Sequence, residues 1–271
     1  MSEAYVKEVQ LPSKGVFYGG QIPDGLVSIE PMGTKEEKLF SAGIQSGSLI
    51  ISSIFESCLK CPIDPQDLIL GDRMFILLQI RSVSYGRTYE YPFKCEECQK
   101  KSYGALDLDS IPLRHPANDV QSSSFTIKLP ILGNSLTLRL LTGRDEEKIQ
   151  RYVKQITART RGKGASVEYI YRLARRVEAI DGSEVGIREA MEFVESLKGQ
   201  DSLHLRDELV NHDVGPELEV SPDCQHCGFP NGPFAMPFEA EFFRPRRRSA
   251  RPDEHLRTAE AVDAFKGRPV A

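Results

Sequence analysis

The fold is decided by Cys95-Glu96-Glu97-Cys98 and Cys224-Gln225-His226-Cys227, two Cys-x2-Cys pairs that lie far apart in the chain. Each pair is flanked by segments that favour extended structure, so each is expected to form a tight turn between strands. A spacing of two residues lets both sulfurs of a pair face one cation. Two such turns complete a tetrahedral site of the zinc-ribbon type. The sequence therefore predicts one structural Zn²⁺ bound by Cys95, Cys98, Cys224 and Cys227.

Other interpretations of these cysteines remain open. The four thiols could be free groups that happen to lie in turns. A redox pair is a further alternative, but that chemistry needs the first thiol at a helix N-terminus, where its pKa falls. Both pairs lie between predicted strands instead. His226 is an alternative ligand inside the second pair, although Cys224 and Cys227 already suffice.

Cys58 and Cys61 form a third Cys-x2-Cys pair, at the predicted C-terminus of a helix. That end of the helix dipole disfavours a thiolate. A second metal site would also need two more ligands, and no nearby His or Cys supplies them. We expect Cys58 to pack in the core and Cys61 to be partly exposed.

Outside the cysteine turns, hydrophobic periodicity and capping residues predict a mostly helical chain with short β-hairpins. The predicted helices cover about residues 34–42, 48–60, 72–84, 143–160, 166–180, 183–197 and 202–212. The predicted strands cover about residues 26–31, 88–93, 102–108, 125–129 and 136–140. Extended structure is expected again at 218–220 and 238–243.

The simplest architecture is an α+β fold in which a mostly helical domain is inserted into a split four-cysteine zinc ribbon. The metal would clamp the two ends of the insertion together. The expected parts are an N-terminal extended segment (1–33), a helical region (34–86), two ribbon halves (87–112 and 216–243), a β-hairpin plus helical insertion (113–215) and a basic, flexible tail (244–271).

The composition is that of a soluble globular protein, since 40% of the 271 residues are apolar and 27% are charged. A net charge of −4 and a pI of about 5.8 supply no global positive field for nucleic acid. Residues 1–8 carry no apolar run, and no stretch approaches the roughly 20 residues of a membrane helix. We therefore expect no signal peptide, no membrane segment and a reducing cytoplasm, where cysteines bind metal or stay as buried thiols.

No enzyme motif is present in the sequence. It lacks a G-x-x-x-x-G-K-[ST] phosphate loop, an H-E-x-x-H metal motif and a G-x-S-x-G nucleophile turn. Four thiolates would also leave no open position on the metal for a substrate. The arginines of the tail, from Arg244 to Arg251, could contact nucleic acid or another acidic surface, or be a solvated segment that orders on a partner.

Several motifs together resemble the T4-type phage baseplate hub protein family. They are Leu11–Gly15, Glu30–Leu39, Asp67–Arg73 and Arg81–Gly86, followed by the two cysteine pairs. The resemblance covers about residues 8–243. It implies a structural or assembly component of the baseplate hub of a contractile-tailed phage, without catalysis. Family members often carry Cys-x2-Cys pairs, which agrees with the zinc-ribbon interpretation.

The resemblance also implies partners and a location. The expected partners are other phage tail proteins (hub, tape-measure and wedge proteins), with no small-molecule substrate and no membrane. The expected location is the virion tail baseplate, or the host cytoplasm during assembly. Leu11–Tyr18 and Leu70–Arg73 would be contact surfaces, although Asp72 and Arg73 could instead be a plain helix N-terminal pair. The alternative function is a zinc-ribbon nucleic-acid-binding or transcription accessory protein; an enzyme with an unrecognised site has no residue to support it.

Overall fold

The computed structural model describes residues 6–41, 47–160, 164–237 and 240–243. It shows a mixed α+β protein, as the sequence predicts. The chain forms two compact units, residues 1–237 and residues 238–271, and the second is described only at its short helix. None of the helices in the described ranges is long and apolar enough to cross a membrane.

The α-helices follow the chain in this order: α1 (Thr34–Ser41), α2 (Gly47–Cys58), α3 (Leu70–Tyr85), α4 (Gly143–Thr160), α5 (Gly164–Ala174), α6 (Ile187–Ser196), α7 (Gly199–His212) and α8 (Ala240–Phe243). The strands are β1 (Lys7–Gln10), β2 (Leu26–Ile29), β3 (Leu59–Lys60), β4 (Thr88–Lys94), β5 (Lys101–Asp107), β6 (Leu113–Arg114), β7 (Ser124–Lys128), β8 (Ser135–Arg139), β9 (Val177–Ile180), β10 (Ser183–Glu184), β11 (Gly215–Pro216), β12 (Glu219–Val220) and β13 (Phe234–Ala235). They pair antiparallel as β1-β2-β3, β10-β9-β8-β7, β4-β5, β6-β11 and β12-β13.

Most of the predicted elements are confirmed within a few residues. Helices α1, α3, α4 and α7 match their predicted spans, and so do the hairpins β4-β5 and β7-β8. The predicted helix 48–60 ends two residues early, because Leu59–Lys60 instead pairs with β2 as strand β3. The predicted extended segment 238–243 is wrong where the structure describes it, since residues 240–243 form α8.

The helices predicted at 166–180 and 183–197 are wrong at their facing ends, because residues 177–180 and 183–184 form strands instead. Helix α5 ends at Ala174, and the hairpin β9-β10 precedes α6. Asp181 and Gly182 form its two-residue turn with φ of 50° and 80°, which is the left-handed conformation that a tight hairpin requires. Val177 and Ala179 are both buried at alternate positions, and β9 pairs with β8. Pairing with the sheet therefore overrides the helical tendency of this segment.

Helix α3 packs against β2, α4 and β11, and Gly71 allows it to approach the chain at Val214. A Cβ atom added at Gly71 would lie 1.5 Å from the Val214 carbonyl oxygen. The neighbour is backbone, so it cannot rotate away as a side chain would. Glycine is therefore required here for a close backbone contact.

Asp72 is fully buried in the first turn of α3 and fixes the N-terminal loop. Its carboxylate accepts hydrogen bonds from the Ser13 N–H (3.0 Å) and from the Tyr18 hydroxyl (2.5 Å). That hydroxyl in turn accepts from the Ile69 N–H (3.2 Å). Burial raises the pKa of the Asp72 carboxyl, although the hydrogen bonds from Ser13 and Tyr18 oppose this shift.

Within Leu11–Tyr18 only Lys14 is exposed, and the charged side chains of Leu70–Arg73 face inward, so neither Asp72 nor Arg73 can belong to the expected contact surfaces. Asp72 has no exposed surface, and Arg73 is 8% exposed. The Arg73 guanidinium lies 4.6 Å from the centroid of the Phe55 ring. Burial lowers its pKa to about 10. Both charged groups therefore join parts of the protein to each other.

Residues 113–215, which we call the insertion because they lie between the two cysteine-bearing hairpins, contain a hydrophobic core. The sheet β10-β9-β8-β7 packs against α5, α6 and α7. The buried residues of this core are Ile127, Leu129, Leu136, Leu138, Leu173, Ala174, Val177, Ala190, Val194, Leu205 and Leu209. Burial of these apolar side chains stabilises this part of the chain.

The chain enters and leaves the insertion through one short antiparallel pair, β6 and β11, which we call the neck. The Glu217 N–H donates to the Pro112 carbonyl (2.9 Å), and the Arg114 Nε lies 2.9 Å from the Glu217 carboxylate. The segments that lead to the two cysteine pairs therefore leave the neck side by side.

Asp145 joins the sheet to the helices of the insertion. Its side chain is 4% exposed. It accepts from the Arg139 guanidinium at 2.6 and 2.7 Å, from Arg175, and from the Thr142 N–H at 3.1 Å. Burial alone would raise the pKa of this carboxyl, but the arginine hydrogen bonds hold it well below its usual range.

Gly71→Ala should destabilise the protein by about 3 kcal/mol or more, because backbone must shift to admit the methyl group. Urea unfolding measures the change. Gly199→Ala is the matched control, since a Cβ there meets no atom within 4 Å. It should leave stability unchanged or raise it by up to about 1 kcal/mol. Equal stability of the two variants would contradict the close contact.

Asp145→Asn should cost roughly 3–5 kcal/mol at pH 7, because two arginines lose a buried partner. The folded-state pKa is lowered, so the stabilisation by Asp145 is present above the unfolded pKa of about 3.9 and is lost as pH falls further. Urea unfolding from pH 7 to pH 2.5 should show the wild type and variant converging below about pH 4.

The control for Asp145 is Arg151→Gln, which removes the exposed pair of Arg151 with Glu147. It should change stability by less than about 0.5 kcal/mol. A difference between wild type and Asp145→Asn that stays constant from pH 7 to pH 2.5 would show that the carboxylate charge is not responsible.

Candidate metal centre

The structure brings all four predicted cysteines together. The four Sγ atoms lie within 4.8 Å of one another. The Sγ atoms of Cys95 and Cys227 are 3.7 Å apart, and so are those of Cys98 and Cys224. Both close contacts join one pair to the other, so the cluster exists only when the two distant turns meet.

Each cysteine pair occupies the tip of a β-hairpin. The first pair lies between β4 and β5, where Lys94 is the partner of Lys101. The second pair lies beyond β12 and β13, where an isolated bridge joins Asp223 to Pro230. We call residues 94–101 the first knuckle and residues 223–230 the second knuckle.

The two knuckles have the same backbone geometry. In each, the first cysteine donates its N–H to the carbonyl five residues ahead, at 3.0 Å in the first knuckle and 2.9 Å in the second. Its own carbonyl accepts from the N–H four residues ahead, at 3.1 and 2.9 Å. That fourth residue has positive φ in both cases: Gln99 at 58° and Gly228 at 71°. Glycine favours this left-handed conformation at position 228, whereas position 99 adopts it with a glutamine.

Polar groups link the two knuckles directly. The Glu96 N–H donates to Asn231 Oδ1 (2.9 Å), and the Gln225 N–H donates to Ser102 Oγ (3.0 Å). His226 Nε2 lies 3.0 Å from the Lys101 carbonyl oxygen. The sequence analysis missed Ser102 and Asn231. One signal for them was present in the sequence: Ser102 follows Cys95 by the same number of residues as Asn231 follows Cys224.

Aromatic packing joins the hairpins behind the cysteines. The Phe234 ring lies 6.2 Å from the Tyr91 ring and 6.1 Å from the Phe93 ring. Gly104 faces Tyr91 across β4-β5, and a Cβ there would lie 2.4 Å from the Tyr91 ring. The missing side chain therefore makes room for the ring.

The sulfurs differ in exposure and in proton affinity. Cys95 and Cys224 are buried, Cys98 is half-buried and Cys227 is exposed. Desolvation raises the pKa of Cys224, but N–H groups of His226 and Cys227 and neighbouring thiols lower it to about 6. The Phe229 N–H lowers the pKa of Cys227, but desolvation and the neighbouring thiols raise it to about 12. Of these two thiols, Cys224 is therefore the more readily deprotonated, as a cysteine must be to bind a metal ion.

The donor set fits a tetrahedral metal ion. Zinc–sulfur bonds of about 2.3 Å require sulfurs roughly 3.8 Å apart at the corners of a tetrahedron. The two cross-knuckle distances are 3.7 Å, and a disulfide would need about 2.05 Å. Four sulfur ligands leave no open coordination position, so the arrangement can bind an ion but offers no place on it for a substrate.

The remaining candidate ligands do not join this cluster. In the parts of the chain that the structure describes, no other group of three or more Cys, His, Asp or Glu side chains could share an ion. Cys58 is buried, which raises its pKa to about 12, and burial also raises the pKa of the half-buried Cys61. These two thiols therefore lie as predicted. The arginines from Arg244 to Arg251 lie outside the described residues.

Comparison with known proteins identifies the family. A family model described as "T4 bacteriophage base plate protein" matches residues 7–242. No curated protein and no solved structure gives a significant match to the chain. The matched residues include both knuckles, α3 and the whole insertion, which is most of the chain. The resemblance noted in the sequence is thereby confirmed, and the chain belongs to the T4 bacteriophage base plate protein family.

Proposed function

We propose that the chain is a structural or assembly component of the baseplate hub of a contractile-tailed bacteriophage, held by one structural Zn²⁺. Membership of the base plate family supports the place in the phage tail. The convergence of four cysteine sulfurs within 4.8 Å is the observation that carries the metal. No catalytic activity is assigned, because the four thiolates would saturate the ion.

Zinc is the metal that the donor set favours. Four cysteine thiolates in tetrahedral arrangement are typical of structural zinc sites in proteins. In this proposal Cys95, Cys98, Cys224 and Cys227 are the ligands. Residues 87–112 and 216–243 are the two halves of a zinc ribbon, and residues 113–215 are the insertion between them. The ion would fix the two halves to each other.

We propose the hub rather than a peripheral position in the baseplate because several motifs resemble the hub protein family. These motifs lie in residues 11–15, 30–39, 67–73 and 81–86. Their buried residues, such as Asp72, support the internal packing of the fold. Partners would be the neighbouring hub, tape-measure and wedge proteins. The chain would act in the virion tail, or in the host cytoplasm while the hub is assembled.

The alternative, a zinc-ribbon protein that binds nucleic acid, gains no support from the knuckles. The exposed charges of the first knuckle are mixed: Lys94, Lys100 and Lys101 lie beside Glu96 and Glu97. Nucleic-acid-binding surfaces concentrate positive charge on one face. The net charge of −4 adds no long-range attraction for phosphate.

A nonsense mutation in the gene, in the phage that encodes the chain, should abolish baseplate formation, because a missing hub component prevents the surrounding parts from assembling. Electron microscopy of infected-cell lysates should show heads without complete tails, and expression of the chain in trans should restore complete tails. A nonsense mutant that makes normal baseplates would contradict the hub proposal.

The purified chain should contain about one zinc per molecule by mass spectrometry of the metal. Cys224→Ser should lose the zinc and lower Tm by more than about 10 °C. Structural zinc contributes roughly 10–16 kcal/mol in finger peptides, and each kcal/mol is worth roughly 2–4 °C in domains of 150–250 residues.

Cys61→Ser is the matched control for the zinc measurement, because that thiol is half-buried and lies outside the cluster. It should keep its zinc and shift Tm by only a few degrees. Unchanged zinc content and melting in Cys224→Ser would rule out the four-cysteine site.

A further inference from the structure

We infer that Ser102 and Asn231 are positioning residues of the metal centre, which dock the two knuckles on each other before the ion binds. The inference rests on the proposed zinc site. Each residue accepts a hydrogen bond from the N–H that directly follows the first cysteine of the opposite knuckle. The two interactions are thus the same contact made once in each direction.

The two acceptors occupy equivalent places in their own hairpins. Ser102 pairs with Phe93 in the β4-β5 ladder, and Phe93 lies two residues before Cys95. The Asn231 N–H donates to the Pro222 carbonyl at 3.2 Å, and Pro222 lies two residues before Cys224. The repeat therefore extends beyond the cysteines, to the residue that reaches across to the other knuckle.

Both side chains are shielded from solvent, and the Asn231 amide is held in one orientation. Ser102 is fully buried, and Asn231 is 5% exposed. The Asn231 amide nitrogen donates to the carbonyls of Pro222 and Phe229, at 3.1 Å each. These two acceptors require the nitrogen on that side, so the amide oxygen must face the Glu96 N–H.

These contacts do not need the metal. They join neutral backbone N–H groups to neutral oxygens, and the oxygens are not themselves ligands. Each such bond contributes about 1 kcal/mol, and losing a buried partner costs roughly 1–3 kcal/mol. The Phe234 ring also packs against the rings of Tyr91 and Phe93 on the other hairpin. The four sulfurs can therefore be gathered in advance, which reduces the ordering that metal binding must bring about.

The experiment uses the full chain with Ser102→Ala and with Asn231→Ala, and has two separate readouts. The first is amide hydrogen exchange of the metal-free protein, followed by NMR. The amides of Glu96 and Gln225 should both be protected in the wild type. Ser102→Ala should release the Gln225 amide selectively, and Asn231→Ala the Glu96 amide.

The second readout is transfer of zinc from the loaded protein to a colour-forming chelator. Each variant should bind zinc about 10–100-fold more weakly than the wild type, the loss typical of removing a hydrogen-bonding group that supports metal ligands, and should release it correspondingly faster. Ser110→Ala is the matched control, since its exposed hydroxyl only contacts the Asp107 carbonyl nearby. It should change neither readout. Protection of the Leu140 amide, which donates to Ser123 at 2.9 Å, shows that a variant has folded.

The two readouts separate failure of this inference from failure of the metal site. A wild type that binds zinc but exchanges the Glu96 and Gln225 amides freely when metal-free would overturn pre-docking and leave the site intact. Zinc release at wild-type rates from both variants would show that Ser102 and Asn231 do not position the ligands. A wild type that takes up no zinc would overturn the metal centre itself.

Discussion

The convergence of four cysteine sulfurs within 4.8 Å is the constraint on which the arrangement of this protein depends. The closest contacts, 3.7 Å each, run between cysteines that belong to different pairs. The two ends of the chain segment between the cysteine pairs must therefore lie close together. The neck, β6 with β11, meets this requirement by setting the two outgoing segments side by side. The hairpins of the two knuckles then pack through Tyr91, Phe93 and Phe234.

The insertion and the two cysteine-bearing hairpins are stabilised in different ways. The insertion buries the core formed by its sheet and α5–α7, so hydrophobic packing stabilises it. The cysteine-bearing hairpins are β4-β5 and β12-β13, and isolated hairpins are marginally stable in water by themselves. A cross-link between distant segments stabilises such a part by removing freedom from the unfolded chain. A bound ion would supply that cross-link without a large hydrophobic core, as in other small metal-stabilised domains.

Local sequence patterns predict much of the secondary structure and the cysteine cluster, but not the contacts between distant segments. Helix α4 and the hairpin β7-β8 carry their own capping and alternation signals, and they form where expected. Residues 177–180 are predicted as the end of a helix, and pairing with β8 and β10 makes them a strand instead. Gln99 has no glycine signal for its positive φ and takes it because the knuckle requires that turn. The burial of Asp72 could not be predicted from local patterns, because its hydrogen-bond partners Ser13 and Tyr18 lie far away in the sequence.

The neck has a consequence for how the protein can vary. Arg114 and Gly215 are directly opposed in an antiparallel pair, so a tight turn would suffice to connect them. The chain between them is tied to the rest of the protein at a second place, where Ile69 bridges to Thr142 and the Leu70 N–H donates to the Leu141 carbonyl at 2.8 Å. Changes in the size of this segment that spare these contacts and the close approach of Val214 to Gly71 would leave the path of the chain at the neck unchanged.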